Sequence, residues 1–296
     1  MLLCCMKTIK DVFADYKQGL DKIYDTNEIG AITLLTISEI CNTSKAKIKA
    51  FPEDEVSPEQ AGKLKSILEE LKTGKPIQYI LGKTEFYGLP FNVSPSVLIP
   101  RPETEELVEW AIETVGSLKL AVGSLLDIGT GSGCIAISLK KNLSGFKVSA
   151  IDISADALQT AASNSTLNVV DIEFIEDDIL NIKSEIEILK FEIIISNPPY
   201  VTLHDKTQMH TNVTDFEPHT ALFVPENDPL IFYNAIAEFA VTSLTENGLL
   251  FFEINESYGK ETVKLLADKG FKNIELRKDM SGRDRMIRAF ISSLAH

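Results

Sequence analysis

The sequence predicts an α/β protein: a mostly parallel, twisted sheet with helices on both faces, preceded by a small all-helical domain. Three observations carry this. From residue 124 onward, short apolar runs alternate with helical patterns, as βα units building a parallel sheet do. Before residue 75, apolar residues recur at three-to-four spacing between helix start and stop signals. Between these regions, Gly82, Gly88 and Pro90 punctuate short extended runs, which predicts a β-hairpin linker. The expected division is 1–75 helical, 76–100 hairpin linker and 101–296 α/β domain.

The helical part opens on a stripe of Ile9, Val12, Phe13 and Tyr16, followed by a second stripe of Ile29, Ile32, Leu35 and Ile40. A third helix starts at Ser57-Pro58-Glu59-Gln60, where Ser57 caps, Pro58 suits the first helical position and Gln60 completes a capping box. Its apolar positions are Leu64, Ile67, Leu68 and Leu71, and Gly74 with Pro76 ends it. Residues 78–81, 84–87 and 91–93 read as extended. Two prolines hold Ile99-Pro100-Arg101-Pro102-Glu103 extended, and a helix bearing Leu107, Val108, Trp110 and Ala111 follows. Strands are then expected over 125–128, 148–151, 172–175, 192–195 and 249–254, with two more near 274–276 and 286–291. Helices are expected over 134–139 and 155–164, from a cap at Asp228-Pro229 through Phe239, and around 263–266.

Composition narrows the class. At 296 residues and 44% hydrophobic content the chain can bury a sizeable core in two domains. Its net charge of −14 disfavours a phosphate backbone as partner. Cys4, Cys5, Cys41 and Cys134 show no C-x-x-C spacing and no zinc-type histidine partner, so they read as reduced, structural or incidental thiols of a cytoplasmic protein with no metal. The apolar start, residues 1–7, is too short for a signal-peptide core, and Met6 is an alternative start. No apolar run reaches the roughly 18 residues of a membrane span.

Two motifs carry chemistry. In the first, the strand ending at Asp127-Ile128 runs into Gly129-Thr130-Gly131-Ser132-Gly133 and then a helix. Alternate glycines let the backbone turn sharply and approach a ligand. Asp152 ends the next apolar strand, so its carboxylate lies at the carboxyl edge of the sheet and can accept both hydroxyl protons of a ribose. This logic serves NAD and S-adenosylmethionine alike, and a glycine turn that only packs a helix on a strand is the plainer alternative. Asp127 either braces the loop or approaches a ligand amino group.

The second motif is Asn197-Pro198-Pro199-Tyr200, directly after the apolar strand 191–196. Prolines supply carbonyl acceptors without N–H donors. The Asn197 side-chain oxygen and the Pro198 carbonyl can converge on one NH2 group and aim its nitrogen at an electrophile. Tyr200 offers a flat face to a planar amide or base. This suits methylation of a delocalised nitrogen and not hydride transfer. A proline-rich turn with Asn197 as turn former is the plainer alternative.

The glycine loop, Asp152 and Asn197-Pro198-Pro199-Tyr200, in this order, resemble class I Rossmann-like S-adenosylmethionine-dependent N-methyltransferases. Residues 98–105, Phe216-Glu217-Pro218 with Ala221-Leu222, and Pro76-Ile77-Gln78-Tyr79 with Gly82 narrow the resemblance to the protein-(glutamine-N5) methyltransferases of peptide chain release factors. It covers essentially the whole chain, more loosely before residue 75. The resemblance implies a helical N-terminal domain, a hairpin linker and a Rossmann-like methyltransferase domain. It implies S-adenosylmethionine as cofactor and, as substrate, the glutamine in the Gly-Gly-Gln loop of class I release factors. Gly129, Thr130, Gly131, Ser132 and Gly133 would wrap the methionine part of the cofactor, and Asp152 its ribose. Asp178 stands where relatives carry an aromatic beside the adenine, so Asp177 or Ile179 is the alternative contact. Asn197 and Pro198 would bind the glutamine amide, flanked by Pro199 and Tyr200, with 100–103 as roof.

No general base stands out. His204, His210 and His219 read as loop residues. An adenine-N6 or cytosine-N4 nucleic-acid methyltransferase would use the same tetrapeptide. Against it stand the net charge and the lack of a basic stripe, because Lys45, Lys47 and Lys49 read as a solvated helix face. A catalytically idle cofactor-binding or docking module is the reading from another class. No stable nucleic-acid or membrane partner is expected.

Overall fold

The computed structural model describes residues 6–206 and 211–291. The chain divides into two compact units. One holds the residues up to Leu81 together with Thr211–Phe216, and the other the remainder from Gly82 onward. Cys4, Cys5, His210 and the question of the start residue lie outside the described residues.

The first unit contains α1 (Ile9–Leu20), α2 (Thr26–Ile40), α3 (Lys45–Ala50), α4 (Pro58–Leu71) and α5 (Ile77–Leu81). Thr8 with Asp11, and Ser57 with Gln60, form complete capping boxes, so the first amides of α1 and α4 have partners. Val12, Tyr16, Leu20, Ile37, Leu64 and Leu71 are fully buried in one core, each contributing about 1.5–3 kcal/mol of transfer free energy. The Tyr16 hydroxyl is not stranded there, since it donates to the Leu64 carbonyl at 2.8 Å. Lys45, Lys47 and Lys49 are exposed on α3. Residues 78–81, expected to be extended, are helical instead. The amides of Tyr79 and Ile80 close on the Pro76 carbonyl, and Ile77, Ile80 and Leu81 at helical spacing all reach the core. Gly82, with φ at 71°, stops the turn.

In the second unit β1 (Lys83–Phe86) and β2 (Leu89–Asn92) form the expected hairpin. Its two-residue turn needs positive φ at both positions, and Tyr87 at 50° and Gly88 at 70° supply them. α6 (Pro102–Leu118) follows. Next come β3 (Gly123–Ile128), α7 (Cys134–Asn142), β4 (Phe146–Asp152), α8 (Ala155–Leu167), β5 (Glu173–Glu176) and β6 (Phe191–Ser196). Three short helices stand where a loop was expected: α9 (Leu203–Lys206) and α11 (His219–Leu222) in this unit, and α10 (Thr211–Phe216), which belongs to the first. α12 (Ile231–Ser243), β7 (Leu244–Glu253), α13 (Gly259–Asp268), β8 (Phe271–Lys278) and β9 (Asp284–Ile291) complete the order. Asp228 does not cap α12 with its side chain. The helix begins at Ile231, whose amide donates to the Asp228 carbonyl across a preceding turn.

The seven strands lie in the order β5-β4-β3-β6-β7-β9-β8. All neighbours are parallel except β9, which is antiparallel to both β7 and β8. Both faces are covered, one by α6 and α7 residues such as Trp110 and Ile137, the other by α12 residues such as Tyr233 and Ile236. A strand covered on both faces has no wet side, hence the unbroken apolar runs at Leu125-Leu126 and Ile193-Ile194-Ile195. Strand order reverses between β3 and β6. At such a switch point the two crossovers leave on opposite faces and open a crevice at the strands' carboxyl ends. Among the described residues, no helix is long and apolar enough to cross a membrane.

Candidate active site

Register delivers the motif residues to one edge. Ile128 pairs with Ile151 on one side and Ser196 on the other, so the glycine loop, Asp152 and Asn197 all emerge from adjacent strand ends. The Ser196 hydroxyl donates to the Ile128 carbonyl at 2.6 Å and locks the β6 end to β3.

The loop is held from beneath. The amides of Gly129 and Thr130 both donate to the Ile151 carbonyl, at 2.9 and 3.0 Å. Gly129 and Gly131 have φ of 72° and 54°, and a Cβ on either would meet nothing within 4 Å. Gly133 differs. At φ of 80° it caps α7, and a Cβ there would stand 3.0 Å from Ile137 and 3.1 Å from Ala161. Its glycine is required by helix packing behind the loop, and it is not part of the cavity wall.

Asp127 is fully buried and accepts from the Thr130 hydroxyl at 2.7 Å. Its Oδ1 has no formed hydrogen bond. Burial pushes its pKa up to about 7, only partly offset by Thr130 and the Ala136 amide. Of the two roles open to it, the contact present is the brace. Asp152 accepts from the Gly131 amide at 2.8 Å through Oδ2 and from the Ser154 amide at 2.9 Å through Oδ1. Burial raises its pKa against the pull of these amides. Each oxygen keeps a further lone pair, so Asp152 can brace the loop and still accept from a ligand.

A cavity of about 350 Å³ opens above the loop. Gly129, Thr130, Gly131, Ser132, Asp152, Asp177, Asp178, Ile179, Asn197, Pro198 and Pro199 all line it. Asp177 is committed elsewhere. Burial alone would raise its pKa, but the Ser184 hydroxyl and the amides of Ser184, Asp178 and Lys183 lower it on balance. Asp178 Oδ1 takes the Leu180 amide at 2.9 Å. Of the three adenine candidates, Ile179 alone presents an apolar side chain.

A second cavity, of about 410 Å³, is lined by Tyr200, Glu253, Asn255 and Arg285 among others. Leu98, Arg101, Asn197, Pro198 and Ala221 line both cavities, so Asn197-Pro198 stands on the wall they share. The Asn197 Nδ2 donates to Thr104 Oγ1 at 3.2 Å, which leaves its Oδ1 as an acceptor. Tyr200 packs on the apolar cluster under α12, and its hydroxyl donates to Glu253 at 3.1 Å. Burial first, then the Glu253 charge, raises the Tyr200 pKa. The 98–103 segment is tied down by Glu217. Its Oε1 pairs with Arg101 at 2.5 Å and its Oε2 accepts the Ile99 amide at 3.2 Å.

Thr104, Glu253 and Asn164 are new to this site. Asn164 donates to the carbonyls of Ser132 and Asn92 at 2.9 Å each, joining the glycine loop to the hairpin. Nothing in the local sequence of a mid-helix asparagine marks that. Glu253 had a signal: it ends the apolar run 249–252 just as Asp152 ends its own strand. Burial raises the Cys41 pKa and pushes that of Cys134 up to about 12, which disfavours the thiolate at both. His219 stacks edge-on against Phe223 at 5.1 Å.

The Methyltransferase small domain family model matches residues 112–216, and the PrmC N-terminal domain model matches residues 17–82. A methyltransferase structure from Pyrococcus furiosus is 15% identical, with a TM-score of 0.51, over 70% of this chain and 91% of that one, a likeness of fold alone. A protein of Bacteroides thetaiotaomicron named release factor glutamine methyltransferase is 40% identical over 278 residues, 94% of this chain and 98% of its own. One of the same name from Flavobacterium psychrophilum is 48% identical over 283 residues, 95% of this chain and 98% of its own. Likeness of this degree, sustained along nearly the full length of both chains, means that the chain belongs to the release factor glutamine methyltransferase family.

Proposed function

We propose that this protein transfers a methyl group from S-adenosylmethionine to the side-chain amide nitrogen, N5, of the glutamine in the Gly-Gly-Gln loop of class I peptide chain release factors. The observation that carries it is the position of Asn197-Pro198 on the wall between the two cavities. One cavity holds the glycine loop and Asp152, and the other holds Tyr200 and Glu253. A donor in the first and an acceptor in the second would meet at Asn197.

The first cavity fits S-adenosylmethionine. Left-handed Gly129 and Gly131, with open space where a Cβ would stand, let backbone come close to the methionine part. Asp152 has lone pairs for the ribose hydroxyls, and Ile179 or Asp178 lies along the wall for the adenine. When bound, the cofactor supplies a methyl group already activated on its sulfonium. The protein's task is then mainly positioning. Asn197 Oδ1 and the Pro198 carbonyl accept the two N–H bonds of the glutamine amide, hold its nitrogen toward the methyl and stabilise the positive charge that develops there. Tyr200 and Pro199 flank the plane of the amide. The proton leaves to water.

An adenine or cytosine amino group would satisfy the same acceptors. Family membership and the net charge of −14 favour the protein amide. The chain is further read as a helical domain over 1–75, a hairpin linker over 76–100 and a methyltransferase domain over 101–296. The match of the PrmC N-terminal domain model to 17–82 supports a separate N-terminal domain and runs past residue 75. A translation factor as substrate places the enzyme in the cytoplasm.

Incubation of a purified class I release factor with this protein and S-adenosylmethionine, followed by peptide mass spectrometry, tests the proposal. One methyl on the Gly-Gly-Gln glutamine is expected. The intact factor should be methylated far more efficiently than a short Gly-Gly-Gln peptide, which bears its full ordering cost on binding. Label that persists on a factor lacking that glutamine, or that goes preferentially to DNA or RNA, overturns it.

A further inference from the structure

We infer that Glu253, acting through Thr104, is a positioning residue that sets which end of the Asn197 amide faces the acceptor. This rests on the reading of Asn197 as the ligand of the acceptor amide.

Glu253 ends β7, the strand hydrogen-bonded to β6, and Phe252 beside it pairs with Ser196. Its side chain is at the sheet's carboxyl edge and only 1% of the residue is exposed. Oε2 lies 2.6 Å from Thr104 Oγ1, and Thr104 Oγ1 lies 3.2 Å from Asn197 Nδ2. A hydroxyl has one proton, and a carboxylate only accepts. With Glu253 ionised, the Thr104 proton must point at it. Toward Asn197, Thr104 is then an acceptor alone. It selects the Asn197 NH2 and leaves the Asn197 oxygen for the acceptor's N–H bonds. A reversed amide would set NH2 against NH2 at the point of transfer. Burial raises the Glu253 pKa, opposed by the Thr104 hydroxyl, the Arg285 charge and the Tyr200 hydroxyl. The same carboxylate takes the Tyr200 hydroxyl on Oε1 at 3.1 Å, so one residue pins both ends of the tetrapeptide. The hydrogen bonds of Glu253 go to side chains of the site, the Thr104 and Tyr200 hydroxyls, whereas those of Asp152 go to backbone amides.

The test is steady-state kinetics on intact class I release factor with labelled S-adenosylmethionine, comparing Glu253→Gln, Thr104→Val, Thr104→Ser and the double variant Thr104→Val/Glu253→Gln, with Asn197→Ala as reference. Either Glu253→Gln or Thr104→Val should lower kcat roughly 10- to 100-fold while KM for S-adenosylmethionine stays within about two-fold, as expected for misplacement of one contact. Thr104→Ser keeps the hydroxyl and should hold kcat within about three-fold of the parent. The double variant should fall no further than the worse single one, because both break the same relay. Wild-type kcat in Thr104→Val, a Thr104→Ser as slow as Thr104→Val, or losses that multiply in the double variant overturn the inference. If Glu253→Gln does not fold, the two Thr104 variants decide alone. Wild-type turnover in Asn197→Ala overturns the acceptor reading itself, whereas an inactive Asn197→Ala beside a fully active Thr104→Val overturns only the role given to Glu253.

Discussion

Replacing Asp152 by alanine separates two duties that the structure places on one carboxylate. Its oxygens accept the Gly131 and Ser154 amides, at 2.8 and 2.9 Å, before any ligand arrives. A net value of about 1 kcal/mol per hydrogen bond sets the loss of stability in the cofactor-free protein at about 2 kcal/mol. For a unit of this size that is a fall of about 4–8 °C in Tm. The ribose contact is lost as well. Hydrogen bonds to a charged group contribute about 1.5–3 kcal/mol, so Kd should rise roughly 10- to 150-fold. Asp152→Asn keeps one carbonyl oxygen and should retain about half of the stability while losing the charge-assisted contact. Thermal melts report the first effect. Calorimetric titration with S-adenosylhomocysteine, the demethylated cofactor, reports the second. A folded Asp152→Ala variant with unchanged Kd would refute the ribose assignment and leave Asp152 as a brace. An unchanged Tm would refute the brace.

Three further outcomes are expected. Asn197→Ala should bind S-adenosylhomocysteine like the parent yet turn over at least about a hundred-fold more slowly, since its oxygen acts mainly in the transition state; wild-type kcat at saturating release factor would contradict this. Gly133→Ala should cost roughly 2–4 kcal/mol in melts, because it adds contacts at 3.0 and 3.1 Å to a left-handed φ of 80°, whereas Gly131→Ala should cost only about 1–2 kcal/mol, and equal losses would contradict the packing role of Gly133. Asp127 has a folded pKa raised to about 7 above its ordinary 3.8, so its contribution to stability is fully present below about pH 4 and is lost as pH rises through 7. Asp127→Asn should therefore gain stability relative to the parent between pH 4 and pH 8, and parallel melting profiles would contradict the shift.

The parallel sheet, the glycine loop and the tetrapeptide were legible in the sequence for local reasons. Strands buried on both faces need unbroken apolar runs such as Ile193-Ile194-Ile195. A turn at left-handed φ needs glycine at Gly129 and Gly131, and a capping box needs Ser57 and Gln60 three residues apart. Residues 78–81 were misread because a short apolar run has no resolvable period. Contact of Ile77, Ile80 and Leu81 with the helical core made it a helix.

What the sequence could not determine is which distant side chains share a proton or a backbone amide. Asn164 meets Ser132 from 32 positions away, and Thr104 meets Glu253 from 149 away. Glu217 holds Arg101 across 116 residues. Each pair consists of residue types common anywhere in a chain, so no spacing announces it. Strand order and register bring them within hydrogen-bond distance, and burial then makes each contact matter, because a polar group withdrawn from water must find its partner inside the protein. The sequence by itself determined the parallel sheet, the strand ends and which motif residues stand at them, but not α5 or the short helices α9 to α11. Only the tertiary structure decided that Asn197 stands between two cavities and that Gly133 serves the helix behind the loop.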